Sequence, residues 1–354
     1  MCASSYFFYS DGVRVSGLRI HGGPDVHGVP LHDFSTNSNA CGPCPVALAA
    51  INRADPTTYP DSSYTALRAQ LAAFHLVDVE RIVLAASASE FIFRITSLVA
   101  SRDGRSVGVP THCYGDYAHA ATAHGMHVVD APMNTPAADL CWTCEPSSPM
   151  GQAHADWHST SGAVRVFDRA YEPLRLSSAF AHTGDLDKLW QLYSPNKALG
   201  LTGVRAAYAI APVDAEADIE TMNQLCPSWP IGAHGVAMLE AWTQPESQAW
   251  LAGSLLKLRQ WKAQQIALCQ SMGWTVLPSV ANFFVCHTGL DPVSMPLVGD
   301  GLRIKSAMTQ LRRHSIKLRD CASFGLPGHV RLSVQAPAAQ SALYKAWRQI
   351  QGMT

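Results

Sequence analysis

Three features of this 354-residue sequence predict an α/β fold, with a large domain whose mainly parallel sheet is sandwiched by helices and a smaller α+β domain. Short apolar runs bounded by small residues recur between residues 81 and 211, the pattern of strands buried on both faces. Stretches with helical spacing separate several of them, as the crossovers of a parallel sheet require. After Pro212 the style changes to a long helical pattern, followed by short strands around one further helix.

Residues 21–45, rich in Gly, Pro, Asn and Cys, read as an ordered arm without regular structure. Residues 63–74 are helical, with Leu67, Leu71 and Phe74 on one face. A strand at 81–85 leads into a helix at 90–100 that lines up Ile92, Ile95 and Val99. Next come a strand at 106–109, a helix at 117–124, and strands at 127–130 and 164–168. Two more strands, 189–193 and 206–211, flank a Gly-rich turn. The C-terminal part reads as helix over 233–270, strands at 275–277 and 282–285, helix at 302–313, and strands at 316–318 and 330–334. The expected division is an arm (1–45) joining the small domain, a large domain (46–235) and a small domain (236–354). The sequence carries no repeat and no low-complexity tract.

Composition narrows the partners. The chain is 47% hydrophobic and 15% charged, with 26 basic and 27 acidic residues. That balance offers no basic face to nucleic acid and no polybasic run to a membrane surface, so a small molecule is the expected partner. No apolar run approaches a membrane span, and no basic segment followed by an apolar core opens the chain. Ten scattered cysteines without an export signal suit free thiols in a cytoplasmic protein.

The chemistry concentrates in a few segments. Ser194-Pro-Asn-Lys197-Ala-Leu-Gly200-Leu-Thr-Gly203-Val-Arg205 sets a lysine between two strands among small residues. Desolvation there favours the neutral, nucleophilic amine that imine formation needs. Ser194 and Arg205 can turn toward one phosphate dianion. Asp168 ends an apolar strand, where open sheets bind ligands, and a buried carboxylate there needs a cationic partner such as a protonated pyridine. Tyr171 follows it. Ser87-Ala-Ser-Glu90 lies at a strand-to-helix junction, where backbone N–H groups and the helix dipole hold phosphate; an ordinary Ser cap is the competing reading.

In this order the segments resemble the class I/II aminotransferases of fold type I, which use pyridoxal 5'-phosphate (PLP). Within them the sequence looks most like the histidinol-phosphate aminotransferase group and its threonine-phosphate decarboxylase relatives. The resemblance runs from His21-Gly-Gly to Arg331. It includes Asp33-Phe-Ser-Thr-Asn37 with Gly42-Pro43, Tyr59-Pro-Asp61, Tyr114-Gly-Asp-Tyr117, and the segment from Leu318 to Arg331. It implies a Lys197 imine and catalytic partners Asp168 (ring nitrogen) and Tyr171 (phenolate oxygen). It implies cofactor contacts from Ser87, Ala88, Ser89, Tyr114, Ser148, Ser194 and Arg205, and from Tyr59 across a homodimer interface. Arg331, Asn37 and Arg319 are the implied substrate residues. The expected reaction moves an amino group between an L-amino acid or amino phosphate and a 2-oxo acid. Decarboxylation of a threonine-phosphate-like amino acid and non-catalytic PLP binding are the alternatives.

Three positions depart from the family pattern. Ser148 replaces the usual asparagine of an Asn-Pro-Thr-Gly turn, Asn196 precedes the lysine where Ser or Thr is usual, and two residues near His112 and Cys113 are extra. Other motifs carry less. Cys41-Gly-Pro-Cys44 and Cys141-Trp-Thr-Cys144 lack the context of a redox or zinc site, and no metal is expected. His154 and His158, and the group His112, His119, His124 and His127, read as solvated helix faces. So does the basic stretch Lys305, Arg312, Arg313 and Lys317.

Overall fold

A computed structural model describes residues 6–8, 14–16, 21–130, 138–153, 164–177, 186–290 and 304–352. Its largest sheet has strands β1 (Ile82–Ala85), β2 (Ser106–Val109), β3 (His127–Asp130), β4 (Leu140–Cys144), β5 (Val164–Asp168), β6 (Trp190–Tyr193) and β7 (Ala207–Ile210). They lie in the order β1-β7-β6-β5-β4-β2-β3. Neighbours are parallel except β7, which runs antiparallel to both β1 and β6. The reversal has a use. Ala207 pairs with Ala85, so the residues just before β7 reach the same edge of the sheet as those just after β1.

Helices cover both faces, as the unbroken apolar strands demand. The described helices are α1 (Pro45–Arg53), α2 (Thr65–His75), α3 (Ala88–Ser101), α4 (Gly115–Ala123), α5 (Glu216–Gln224), α6 (Ala233–Trp242), α7 (Pro245–Ser271), α8 (Ile304–Arg313) and α9 (Pro337–Ile350), the last packing on α7 and α8 in the C-terminal part. Side chains alternate across a strand, so Val83, Ala85, Ala207 and Ala209 pack toward α3 and α4, while Ile82, Leu84, Tyr208 and Ile210 join the core under α2 and α6. Phe91 of α3 and Trp190 of β6 meet at 5.8 Å, both fully buried. Each large side chain buried this way contributes about 1.5–3 kcal/mol relative to its exposed state.

The second sheet is antiparallel, with strands β8 (Thr275–Val276), β9 (Phe283–His287), β10 (Arg319–Asp320) and β11 (His329–Ser333) in the order β8-β9-β11-β10. Register sets Arg319 directly opposite Arg331.

Several sequence expectations change in detail. The helical pattern at 233–270 is two helices, because Pro245 lacks an N–H and starts a new one. Residues 316–317 leave the small sheet to pair in parallel with His32–Asp33, so the arm is not wholly irregular. Phe34 extends that union, its N–H donating to Lys317 O at 2.9 Å and its carbonyl accepting from Ser333 N–H at 2.8 Å. β4, β10, α1, α5 and α9 were not foreseen.

Candidate active site

The carboxyl ends of β1, β4, β5 and β6 converge on one edge of the large sheet, where open α/β sheets bind ligands. Asp168 is the last residue of β5 and 5% exposed. Its Oδ2 accepts the Tyr117 hydroxyl at 2.7 Å and its Oδ1 accepts the Ala170 N–H at 2.9 Å. Burial pushes its pKa above the ordinary carboxylate value; the two hydrogen bonds and the charge of Lys197 pull the other way. Cys144 lies beside it in register on β4, and burial holds its thiol protonated.

Lys197 follows β6 in the turn 194–200, half-buried, with Nζ 5.3 Å from the centre of the Tyr171 ring. The arm crosses this turn. Asn39 N–H donates to Lys197 O at 2.9 Å, and Asn39 Nδ2 donates to Ala198 O at 3.0 Å and to Ser254 Oγ at 2.8 Å. Gly200, at φ +71°, lies so close beneath the arm that a Cβ there would meet Gly42 O at 2.5 Å. Ser194 is buried and donates to Asn196 Oδ1 at 3.1 Å, so the asparagine that departs from the family pattern holds the serine.

Ser87 caps α3, accepting from Glu90 N–H at 3.1 Å, while Glu90 Oε2 accepts from Ala86 N–H at 3.1 Å. The reciprocal cap occupies the Ser87 hydroxyl and leaves the helix N–H groups after it as the anion-binding element. Ser89 Oγ and the Tyr114 hydroxyl lie 3.1 Å apart. With Arg205 and His21 they line a cavity of about 680 Å³. Arg205 arrives there because β7 runs backwards.

The second half of the site belongs to the small sheet and the arm. Tyr171 meets the Phe283 ring edge-on at 4.8 Å, and the Arg331 guanidinium lies 5.6 Å from Phe283 and 5.7 Å from Phe324. Arg319 lies 4.6 Å over the other side of this cluster, on the Phe324 ring, and donates to Asp320 O and to Ser323 Oγ. Burial, reinforced by the charge of Arg331, pulls the Arg319 guanidinium down to about 10. Arg331 Nη2 donates to Ser35 O at 3.0 Å, while its Nε has no partner among the described residues. Asn37, 2% exposed, has neither amide atom satisfied there. Buried polar groups rarely stay unpaired unless a ligand completes them.

The model of the family described as aminotransferase class I and II matches residues 30–350. The chain belongs to this family. Histidinol-phosphate aminotransferase of Symbiobacterium thermophilum is 25% identical over 334 residues, 87% of this chain and 88% of that protein. Among solved structures, histidinol-phosphate aminotransferase from Sinorhizobium meliloti in complex with pyridoxal-5'-phosphate superposes with a TM-score of 0.72 at 21% identity, covering 89% of this chain and 90% of that one. L-threonine-O-3-phosphate decarboxylase from Porphyromonas gingivalis gives 0.71 at 19%, covering 90% and 99%. The protein is therefore a PLP-dependent aminotransferase of fold type I, and decarboxylation is not favoured over aminotransfer.

Within this aminotransferase the expected residues group unevenly. Asp168, Lys197 and Tyr171 come together, as do Ser89, Tyr114 and Arg205, and as do Arg319 and Arg331. Ser148 is buried in the turn after β4. Tyr59 stands apart, 78% exposed and stacked on Trp229 at 4.5 Å. The basic stretch is not simply a solvated face, since Arg312 and Lys317 both bind Asp25 of the arm, at 2.9 and 3.1 Å, and hold its carboxyl well below the usual range. Cys41 has a pKa raised by burial, the reverse of an activated thiol. His154 and His158 lie outside the described residues. Tyr117 was missed; its only sequence signal is the Tyr-Gly-Asp-Tyr117 segment itself.

The residues present fit the cofactor. Asp168 is a buried carboxylate whose protein donors are both uncharged, a phenol and an amide, leaving room for a cationic ring N–H. The N-terminus of α3, the hydroxyls of Ser89 and Tyr114, and Arg205 offer donors for a phosphate at one cavity, whose lining also carries Glu90, Arg94 and Asp116.

Proposed function

We propose that this aminotransferase exchanges amino groups between an L-amino acid bearing a second acidic group and a 2-oxo acid, with PLP held covalently at Lys197. The observation that carries the reading is Lys197 and Asp168 on adjacent strand ends, with Tyr171 beside the lysine. The bound cofactor supplies an electron sink for the bond-breaking at the substrate α-carbon. Asp168 would hold the ring nitrogen in its protonated form, and Tyr171 would donate to the phenolate oxygen. Ser194, Ser89, Arg205 and the first N–H groups of α3 would hold the phosphate, with Tyr114 over the ring. With the cofactor bound, Lys197 Nζ would be the base that accepts the substrate α-proton and holds it for redelivery.

Arg331 grips the substrate α-carboxylate, Asn37 meets the substrate through its unsatisfied amide, and Arg319 faces the second acidic group. A homodimer in which Tyr59 completes the partner's phosphate site explains why so large an aromatic stays exposed. The same reading takes residues 1–45 as an arm, 46–235 as the large domain and 236–354 as the small one. Nine free thiols among the described residues support a cytoplasmic setting.

The test is to incubate holo-protein with a panel of acidic and phosphorylated amino acids, following the cofactor chromophore and the products. A 2-oxo acid with stoichiometric conversion of cofactor to its amine form supports aminotransfer. Carbon dioxide without an oxo acid would move the reaction to decarboxylation. A chromophore that survives Lys197→Ala unchanged would remove Lys197 from its role.

A further inference from the structure

We infer that Tyr117 is a positioning residue that acts through Asp168, its hydroxyl fixing that carboxylate and keeping it ionised for the cofactor's ring nitrogen. The inference rests on the roles just proposed for Asp168 and Lys197. Each oxygen of Asp168 has one donor, and the two come from different elements: the Tyr117 phenol of α4 on Oδ2 at 2.7 Å, and the Ala170 N–H after β5 on Oδ1 at 2.9 Å. The carboxylate is therefore held against rotation from both ends. Tyr117 in turn cannot swing away. It is fully buried, and Trp142 of β4 stacks flat on its ring at 4.3 Å and 10°.

The titratable groups facing Asp168 are Tyr117 from α4, Cys144 from β4 and Lys197 from the turn after β6. Burial favours the protonated, useless form of the acid; the Tyr117 hydrogen bond opposes burial most strongly. Burial, with the neighbouring carboxylate, also raises the Tyr117 phenol well above its ordinary value, so it stays a donor at any working pH. Tyr114, three residues earlier, stands edge-on to Tyr117 at 5.9 Å. One helix start thus supplies both the ring expected over the cofactor and the donor beneath its nitrogen partner.

Tyr117→Phe keeps the ring and removes the donor. Apo-protein is titrated with PLP and with its analogue carrying carbon in place of the ring nitrogen, between about pH 5 and 9. The ratio of the two affinities isolates the ring nitrogen from phosphate contacts. We expect the variant to lose about tenfold in that ratio near neutral pH, and the acid limb of its PLP profile to move to higher pH, since Asp168 then takes a proton sooner. Equal losses for both compounds with an unmoved limb would reduce Tyr117 to packing and overturn the inference. Should the variant not fold, 3-fluorotyrosine installed at position 117 makes a stronger donor of nearly the same size. The acid limb must then move to lower pH, and an unmoved limb overturns the inference equally. A wild-type protein that binds both compounds alike, or attaches PLP at another lysine, fails at Asp168 or Lys197 first, and the role of Tyr117 falls with it.

Discussion

The two halves of the site solve the burial of polar groups in opposite ways. At the end of the large sheet, both oxygens of Asp168 are met by donors from the chain itself. Across the site, in the arm and small sheet, the Asn37 amide and Arg331 Nε are buried without partners among the described residues. An unpaired buried polar group costs about 1–3 kcal/mol. A ligand that enters the site can complete such a group and recover that cost. The contrast separates a seat for a resident cofactor, finished in advance, from a seat for a substrate that enters and leaves each turnover.

Lys197→Ala should give the largest effect, a fall in turnover of roughly 10⁴-fold in single-turnover kinetics, with the circular dichroism spectrum unchanged. Asp168→Asn should cost about 3–5 kcal/mol of transition-state stabilisation, or roughly 10²–10⁴-fold in kcat, since it leaves a ring cation without its counter-charge. The same variant probes the folded state directly. Burial raises the Asp168 pKa above 3.8, so just above that pH the native protein retains a proton that the unfolded chain releases, before ionising at higher pH. Stability contributed by this group is thus present at acid pH and lost as pH rises through the raised value. The apo-protein Tm of Asp168→Asn minus that of wild type should accordingly grow from pH ~4 toward ~7; a flat difference would mean Asp168 titrates normally.

Arg331→Lys should lower kcat/KM for amino acids about 10- to 100-fold, with the cofactor chromophore unaltered, because an ammonium cannot make the planar two-bond grip on a carboxylate. Asn37→Ala is the finest probe of the contrast. Substrate affinity should drop several-fold while the Tm stays level or rises, since the change deletes an unsatisfied group. A lowered Tm together with unchanged affinity would show that Asn37 serves the fold instead.

Legibility in the sequence divides along similar lines. The strands at 81–85, 106–109, 127–130 and 164–168 were readable because short β-branched and apolar stretches, bounded by small or polar residues, alternate there with helical spacing. β4, Leu-Cys-Trp-Thr-Cys, was not, since its burial alternates and its composition is mixed. β10 hid in a basic stretch, because Arg319 is buried against Phe324 in a way that local charge cannot reveal. Lys197 and Asp168 could be found because each sits in a distinctive local segment. Tyr117 could not, as its partner is 51 residues away and their meeting depends on how α4 lies over the sheet. The clamp of Arg312 on Asp25, 287 residues apart, is invisible for the same reason.

Two of the arm's moorings lie on opposite sides of Asn37. At Phe34 the arm is stitched to Lys317 and Ser333, and at Asn39 it is tied to the backbone of the lysine turn. Between these ties, residues 35–38 carry Asn37; the Ser35 carbonyl is held by Arg331, and Asn282 Nδ2 donates to the Asn37 and Ser38 carbonyls. A molecule beside Asn37 would therefore press on a stretch of backbone bonded to the small sheet and to the lysine turn at once.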